Sequence, residues 1–125
     1  MIILDANVWI AFFDNDDSHH ERAQQTLYSS SGRLVLPEYV LLEVISVLQR
    51  KRGKNFADVC LTELIFNQDL VLLMNDANFI QDFYQFFLNN NYEQLSFVDQ
   101  FLLFLSQEYS IVTFDKALAK KIKRL

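Results

Sequence analysis

Glu43 stands in the run Tyr39-Val40-Leu41-Leu42-Glu43-Val44-Ile45-Ser46-Val47-Leu48, and Asp99 in Phe97-Val98-Asp99-Gln100-Phe101-Leu102-Leu103-Phe104-Leu105. Both segments read as helices apolar on nearly every side, where an ionised group has little access to water and its desolvation is costly. Asp5 and Asp115 follow two apolar strand-like segments, Ile2-Ile3-Leu4 and Ile111-Val112-Thr113-Phe114. Singly, each acid has an ordinary reading as an exposed residue or, for Asp99 with Ser96 three residues before it, a helix cap. Together, the mid-helix and strand-end placements share no ordinary cause, and the four would repel one another strongly if gathered without a counter-cation. No lysine or arginine lies close in sequence to Asp5, Glu43 or Asp99. A hard oxygen donor set without a cysteine or histidine cluster points to Mg²⁺ or Mn²⁺ over zinc.

Other chemistry is weakly supported. His19 and His20, the only histidines, read as part of an exposed helix-capping region beside Asp16 and Asp17. The run Asp14-Asn15-Asp16-Asp17-Ser18 superficially suggests a calcium loop, but His19 falls where that loop needs glycine and Gln25 where it needs a bidentate glutamate. The single cysteine, Cys60, reads as a small core residue. No Ser/His/Asp or Cys/His arrangement suggests a side-chain nucleophile.

The elements that must position the acids follow a β-then-α rhythm. Strand-length apolar runs at Ile2–Leu4, Leu34–Leu36, Leu70–Leu73 and Ser110–Thr113 are each followed by helical pattern, near 7–13, 18–29, 37–52, 55–67, 76–89, 96–108 and 115–123. Asp17 or Ser18 could cap the second helix, and Pro37 suits a first helical turn. Continuous apolar strands belong to a parallel sheet covered on both faces by helices. In such a sheet, sites form at the carboxyl ends of the strands where strand order reverses. That is where Asp5 and Asp115 would lie.

Composition agrees with a globular chain. It has 125 residues, of which 51% are apolar and 14% aromatic, enough to bury a core and to exclude a disordered chain. One proline, two glycines and no linker longer than Asn89-Asn90-Asn91 suggest a single domain over 1–125. The longest apolar run, Val8 to Phe13, is far short of the roughly 20 residues a bilayer span needs. No signal peptide is visible, so a cytoplasmic location is the default expectation. The formal net charge is −5, and the basic residues are clustered: Arg50, Lys51, Arg52 and Lys54 in one group, Lys116, Lys120, Lys121, Lys123 and Arg124 in another. Such patches can bind a polyanion locally, or can simply complement a helix end or form a solvated face. Phe79, Phe83, Phe86 and Phe87 have helical spacing and read first as core, second as a surface for self-association or a partner segment.

At Leu4-Asp5-Ala6-Asn7-Val8-Trp9, Glu43, Leu95-Ser96-Phe97-Val98-Asp99 and Thr113-Phe114-Asp115-Lys116, in that order across nearly the whole chain, the sequence resembles the PIN-domain ribonucleases. Within them it is similar to the toxins of type II (VapBC-like) toxin–antitoxin pairs. The resemblance implies a three-layer α/β/α sandwich with a central, mostly parallel sheet. Four strands are expected here, because 116–125 reads as a terminal helix where many members continue into a fifth edge strand. It implies a metal-dependent endoribonuclease in which Asp5, Glu43, Asp99 and Asp115 hold one or two Mg²⁺ or Mn²⁺ ions. Asn7 and Thr113 would orient the carboxylates, and Ser96 would cap the helix of Asp99. Lys116, and more distantly Arg50, Lys51, Arg52 and Lys54, would guide an RNA substrate. An antitoxin encoded nearby and a homodimer are the implied partners, with no membrane involved. Ala6 departs from the family, which often has a hydroxyl residue there.

Rival readings fit less well. A haloacid-dehalogenase-type phosphatase needs a second aspartate where Asn7 stands, and a phosphoacceptor receiver gives no role to Glu43. A PIN-like RNA-binding module without cleavage would have little reason to keep all four acids.

Overall fold

The computed structural model describes residues 1–30 and 32–123. Its four strands, β1 (Ile2–Leu4), β2 (Leu34–Pro37), β3 (Leu70–Leu73) and β4 (Ser110–Val112), form one sheet in the order β3-β2-β1-β4. All neighbours are parallel, with Ile3 facing Val35 on one side and Ile111 on the other. Between the strands run α1 (Ala6–Phe13), α2 (His20–Ser29), α3 (Glu38–Arg52), α4 (Lys54–Ile65), α5 (Ala77–Asn89) and α6 (Phe97–Leu105), and α7 (Lys116–Lys123) follows β4.

This order fixes where the helices go. The first two crossovers step outward from β1 to β2 to β3, and the third returns past both to place β4 on the far side of β1. Parallel crossovers are almost always right-handed, so reversing direction moves the connecting helices to the opposite face. Accordingly α1 packs on α2 and α3, and α3 on α4, whereas α6 packs on α5 and α7. Strand order reverses between β1 and β4, and a crevice opens there at their carboxyl ends.

The core fills both interfaces of the inner strands. Ile3, Leu4, Val35 and Leu36 are buried, together with Val8, Trp9 and Ala11 of α1, Val40, Val44 and Leu48 of α3, Leu102, Leu103 and Leu105 of α6, and Leu118 of α7. Cys60 is buried as expected, and burial pushes its thiol up to about 11. Phe83 is buried and Phe79, Phe86 and Phe87 are half-buried, packing edge-on or tilted against Phe97, Phe101 and Phe104 of α6. That bears out the reading of these phenylalanines as core. The edge strands are less covered than their apolar composition suggests: Leu72 and Met74 on the β3 side are exposed.

Three local expectations need correction. Pro37 ends β2, paired with Leu73, and its extended backbone precedes α3 without joining it. Neither Asp17 nor Ser18 caps α2. Asp17 instead closes a turn by accepting from the His19 amide, His19 occupies the cap position, and the half-buried His20 donates through Nδ1 to the Ala11 carbonyl at 2.7 Å. Helix α6 stops at Leu105, where the Ser106 amide folds back onto Leu102 and Leu103.

Gly53 joins α3 to α4 with φ of 90° and ψ of 171°, a backbone region open almost only to glycine. Nothing lies within 4 Å of where a Cβ would be. Gly53→Ala should therefore destabilise the chain by about 1–3 kcal/mol through backbone strain alone, read as a lower denaturant midpoint with an unchanged m-value.

Candidate active site

Asp5, which directly follows β1 and caps α1, is buried with 6% exposure. Its position is set by the backbone, since its amide donates to the Val112 carbonyl of β4 and its carboxylate begins α1 by accepting from the Ala6 amide at 2.7 Å. The other carboxylate oxygen accepts from the Thr113 hydroxyl at 2.7 Å. Asn7 completes the tie between the first and last strands: its Nδ2 donates to Thr113 Oγ1 at 3.3 Å and its Oδ1 accepts from the Phe114 amide at 3.1 Å. Thr113 Oγ1 also accepts from the Asp115 amide. Asn7 and Thr113 thus join Asp5 to the backbone of the β4–α7 connection.

The remaining acids are held from three other elements. Tyr39, one helical turn before Glu43, donates its hydroxyl to Glu43 Oε2 at 3.1 Å. Asp99 closes a reciprocal capping box with Ser96, accepting from the Ser96 amide while the Ser96 hydroxyl accepts from the Asp99 amide. Asp115 Oδ1 accepts from the Leu118 amide at the start of α7. Among the described residues, each of these three acids has one oxygen engaged and the other without a protein partner.

All four acids line one cavity of about 290 Å³ with Ala6, Asn7, Ile10, Ser96 and Val98. Among the described residues, none of the four pairs with a lysine, arginine or histidine. Glu43 and Asp99 are half-buried, less enclosed than their apolar surroundings in sequence suggest. Asp5 carries the electrostatic load. Its carboxyl is pushed up to about 6, chiefly by burial and further by the charges of Glu43 and Asp99, against the lowering effect of the Thr113 and Ala6 hydrogen bonds. Burial and the neighbouring Glu43 also push the Tyr39 hydroxyl upward, so it stays protonated and able to donate.

The donor set fits a hard divalent cation in kind: oxygen atoms only, a surplus of negative charge and carboxylates that line a shared space. The acids ring the cavity without closing on a point, and among the described residues no three potential ligands stand ready-made at cage spacing.

The basic candidates separate in space. Lys116 is exposed directly beside Asp115. Arg50 and Lys51 are exposed on the last turn of α3, about 10–12 Å along the axis from Glu43 at 1.5 Å per residue. Arg52 is committed elsewhere: it pairs with Asp14, buried behind α1, at 2.7 Å and with Asp16 at 3.4 Å, and it stacks on Phe56. Lys54 pairs with Asp58. Tyr39 was the residue the sequence concealed, although its i,i+4 spacing to Glu43 on an expected helix was available as a signal.

The fold and this cavity define a class. The PIN domain family model matches residues 2–124, and the chain belongs to that family. Among solved structures, it is similar to VapC20 of Mycobacterium tuberculosis, described as a toxin that cleaves the sarcin-ricin loop, with a TM-score of 0.82 at 17% identity over 96% of this chain and 94% of that one. The likeness to VapC20 is one of fold. Comparison with curated protein sequences finds no match. No helix among the described residues is long and apolar enough to cross a membrane.

The raised Asp5 carboxyl has a consequence for stability. A carboxyl whose folded pKa exceeds its unfolded value binds more protons when folded, so stability falls as pH rises between those values. In chelator, the wild-type chain should lose on the order of 2–3 kcal/mol relative to Asp5→Asn as pH rises from about 4 to about 6 and beyond. Paired denaturant titrations across that range check this; equal slopes for both chains would contradict it.

Proposed function

We infer that residues 1–125 act as one PIN-like nuclease domain, a Mg²⁺- or Mn²⁺-dependent endoribonuclease that hydrolyses RNA phosphodiester bonds. The observation that carries this is the convergence of Asp5, Glu43, Asp99 and Asp115, from four separate segments, on one cavity at the point where strand order reverses, with no described cation paired to any of them. Asp5, Glu43, Asp99 and Asp115 would hold one or two ions.

When bound, the ion supplies a water nucleophile activated at neutral pH and neutralises charge that develops on the phosphodiester. The chain's own groups do the positioning. Thr113 and the Ala6 amide hold the Asp5 carboxylate in one orientation and favour its charged form. Tyr39 fixes one oxygen of Glu43 and leaves the other toward the cavity, and the capping box does the same for Asp99. Lys116 brings positive charge to the rim of an otherwise acidic site, where a polyanion must approach, and Arg50 and Lys51 would meet a longer RNA at a distance.

The reading extends to biology. The fold shared with VapC20 supports a role as the toxin of a toxin–antitoxin pair in the cytoplasm, with an antitoxin encoded nearby and a homodimeric assembly. Exposed apolar residues give such partners surface to cover: Leu42, Val59 and Phe66 on the α3–α4 side, and Ile80, Tyr84 and Leu88 along α5. A short upstream reading frame whose product co-purifies with this chain and relieves its toxicity would support that role.

Cleavage of RNA should require Mg²⁺ or Mn²⁺ and be abolished by chelator. Asp5→Asn, Glu43→Gln, Asp99→Asn and Asp115→Asn should each lower kcat by about 100-fold or more, as expected when a charge-stabilising group is lost. Tyr39→Phe should cost only about tenfold, the loss of one hydrogen bond to a charged group. Metal should raise the melting temperature of the wild type more than that of Asp5→Asn. A wild-type chain that binds metal and RNA yet cleaves nothing would instead mark a binding module.

A further inference from the structure

The β4–α7 connection carries an aromatic ring that the acids do not use. Phe114 lies between Thr113 and Asp115, and its amide is held by Asn7, so its backbone is fixed by the same network that fixes Asp5. On its ring sit two residues from the start of α2: the Arg22 guanidinium carbon is 4.2 Å from the ring centroid, and the His19 ring is 5.4 Å away. Arg22 is exposed and, among the described residues, pairs with no carboxylate.

This placement matters because positive charge near the acids is scarce. From Asn55 to Asp115 the sequence has no lysine or arginine. Arg52 and Lys54 are neutralised by Asp14, Asp16 and Asp58. Arg33 precedes β2 and so lies at the opposite edge of the sheet. Arg22 and Lys116 are left to flank the Thr113–Asp115 segment, one from α2 and one from the first residue of α7.

Resting on the ribonuclease reading, we propose that Arg22, stacked on Phe114, is a phosphate-binding residue that holds the RNA backbone beside the scissile phosphate. A guanidinium lying against an aromatic face is steered in orientation without being neutralised, and its N–H edge stays free for the paired oxygens of a phosphate. Phe114 thereby links substrate capture to the carboxylate network. With Lys116, Arg22 would bring two cations to the Thr113–Asp115 segment, whose Asp115 lines the cavity.

The test is RNA binding measured as a function of salt. A fluorescein-labelled RNA hairpin with an unpaired loop is titrated with the Asp5→Asn chain, which binds without cleaving, over a series of KCl concentrations. Arg22→Ala in that background should weaken binding and make the slope of log K against log [KCl] shallower by about 0.7–0.9, the value of one phosphate contact. Arg22→Lys should keep the parental slope and recover part of the affinity. Arg33→Ala should leave both unchanged. In the Asp5-intact chain with Mg²⁺, Arg22→Ala should raise KM several-fold with kcat within about twofold. An unchanged slope for Arg22→Ala, or a loss of kcat with unchanged KM, would overturn the assignment of Arg22 while leaving the ribonuclease reading in place. Failure of the Asp5→Asn chain to bind the hairpin at any salt, together with no cleavage by the wild type, would overturn both.

Discussion

The structure depends on tolerating a buried carboxylate. Asp5 sits at the head of α1 and the end of β1, where the surrounding core removes its water and two neighbouring acids add repulsion. Among the described residues, only the Thr113 hydroxyl and the Ala6 amide oppose that pressure, and the hydroxyl reaches Asp5 from the end of β4, beside β1. A single helix-start amide would not offset the desolvation, as the upward shift of the carboxyl shows. On the proposed reading, a divalent cation shared with Glu43, Asp99 and Asp115 would complement such a site, because it would turn mutual repulsion into common attraction.

The same contacts make the site inseparable from completion of the sheet. Asn7 and Asp5 reach Thr113 across sequence separations of 106 and 108 residues, so the network exists only once β4 has docked beside β1. Docking requires the third crossover, α5 and α6, to pass back over β2 and β1, and the Phe79, Phe83, Phe101 and Phe104 interface holds those helices together while it does so. Aromatic packing on one face of the sheet thus sets the position of Asp99, at the head of α6, relative to Asp5. The capping box then fixes Asp99 itself with local hydrogen bonds.

Much of this was legible because the relevant signals are local. The apolar strands, the helix periods, the Ser96–Asp99 spacing and the strand-end acids lie within short windows, and each maps onto the element it suggested. The four acids stood out as a set because their mid-helix and strand-end placements share no ordinary cause, although each alone has one, and the fold brings them to one cavity. What escaped depends on tertiary pairing. Arg52 looks like its neighbours Arg50 and Lys51 in the sequence, and only the approach of the loop after α1 gives it Asp14 as a partner. The exposure of Leu72 and Met74 follows from β3 being an edge strand, which an apolar run cannot announce. Pro37 was misplaced by one element because its fixed φ serves the last residue of a strand as well as the first of a helix.

On the ribonuclease reading, the charge distribution would give this acidic protein a directional way to hold a polyanion. A chain of net charge −5 would gain little from its overall field as RNA approached, so binding would come from a few cations placed close to the site. The α6 side of the cavity contributes Ser96, Val98 and Asp99 and no lysine or arginine, while the exposed Arg22 and Lys116 stand beside the Thr113–Asp115 segment. The placement of these two cations beside Asp115, more than the net charge of the chain, would then decide how a strand lies across the four carboxylates.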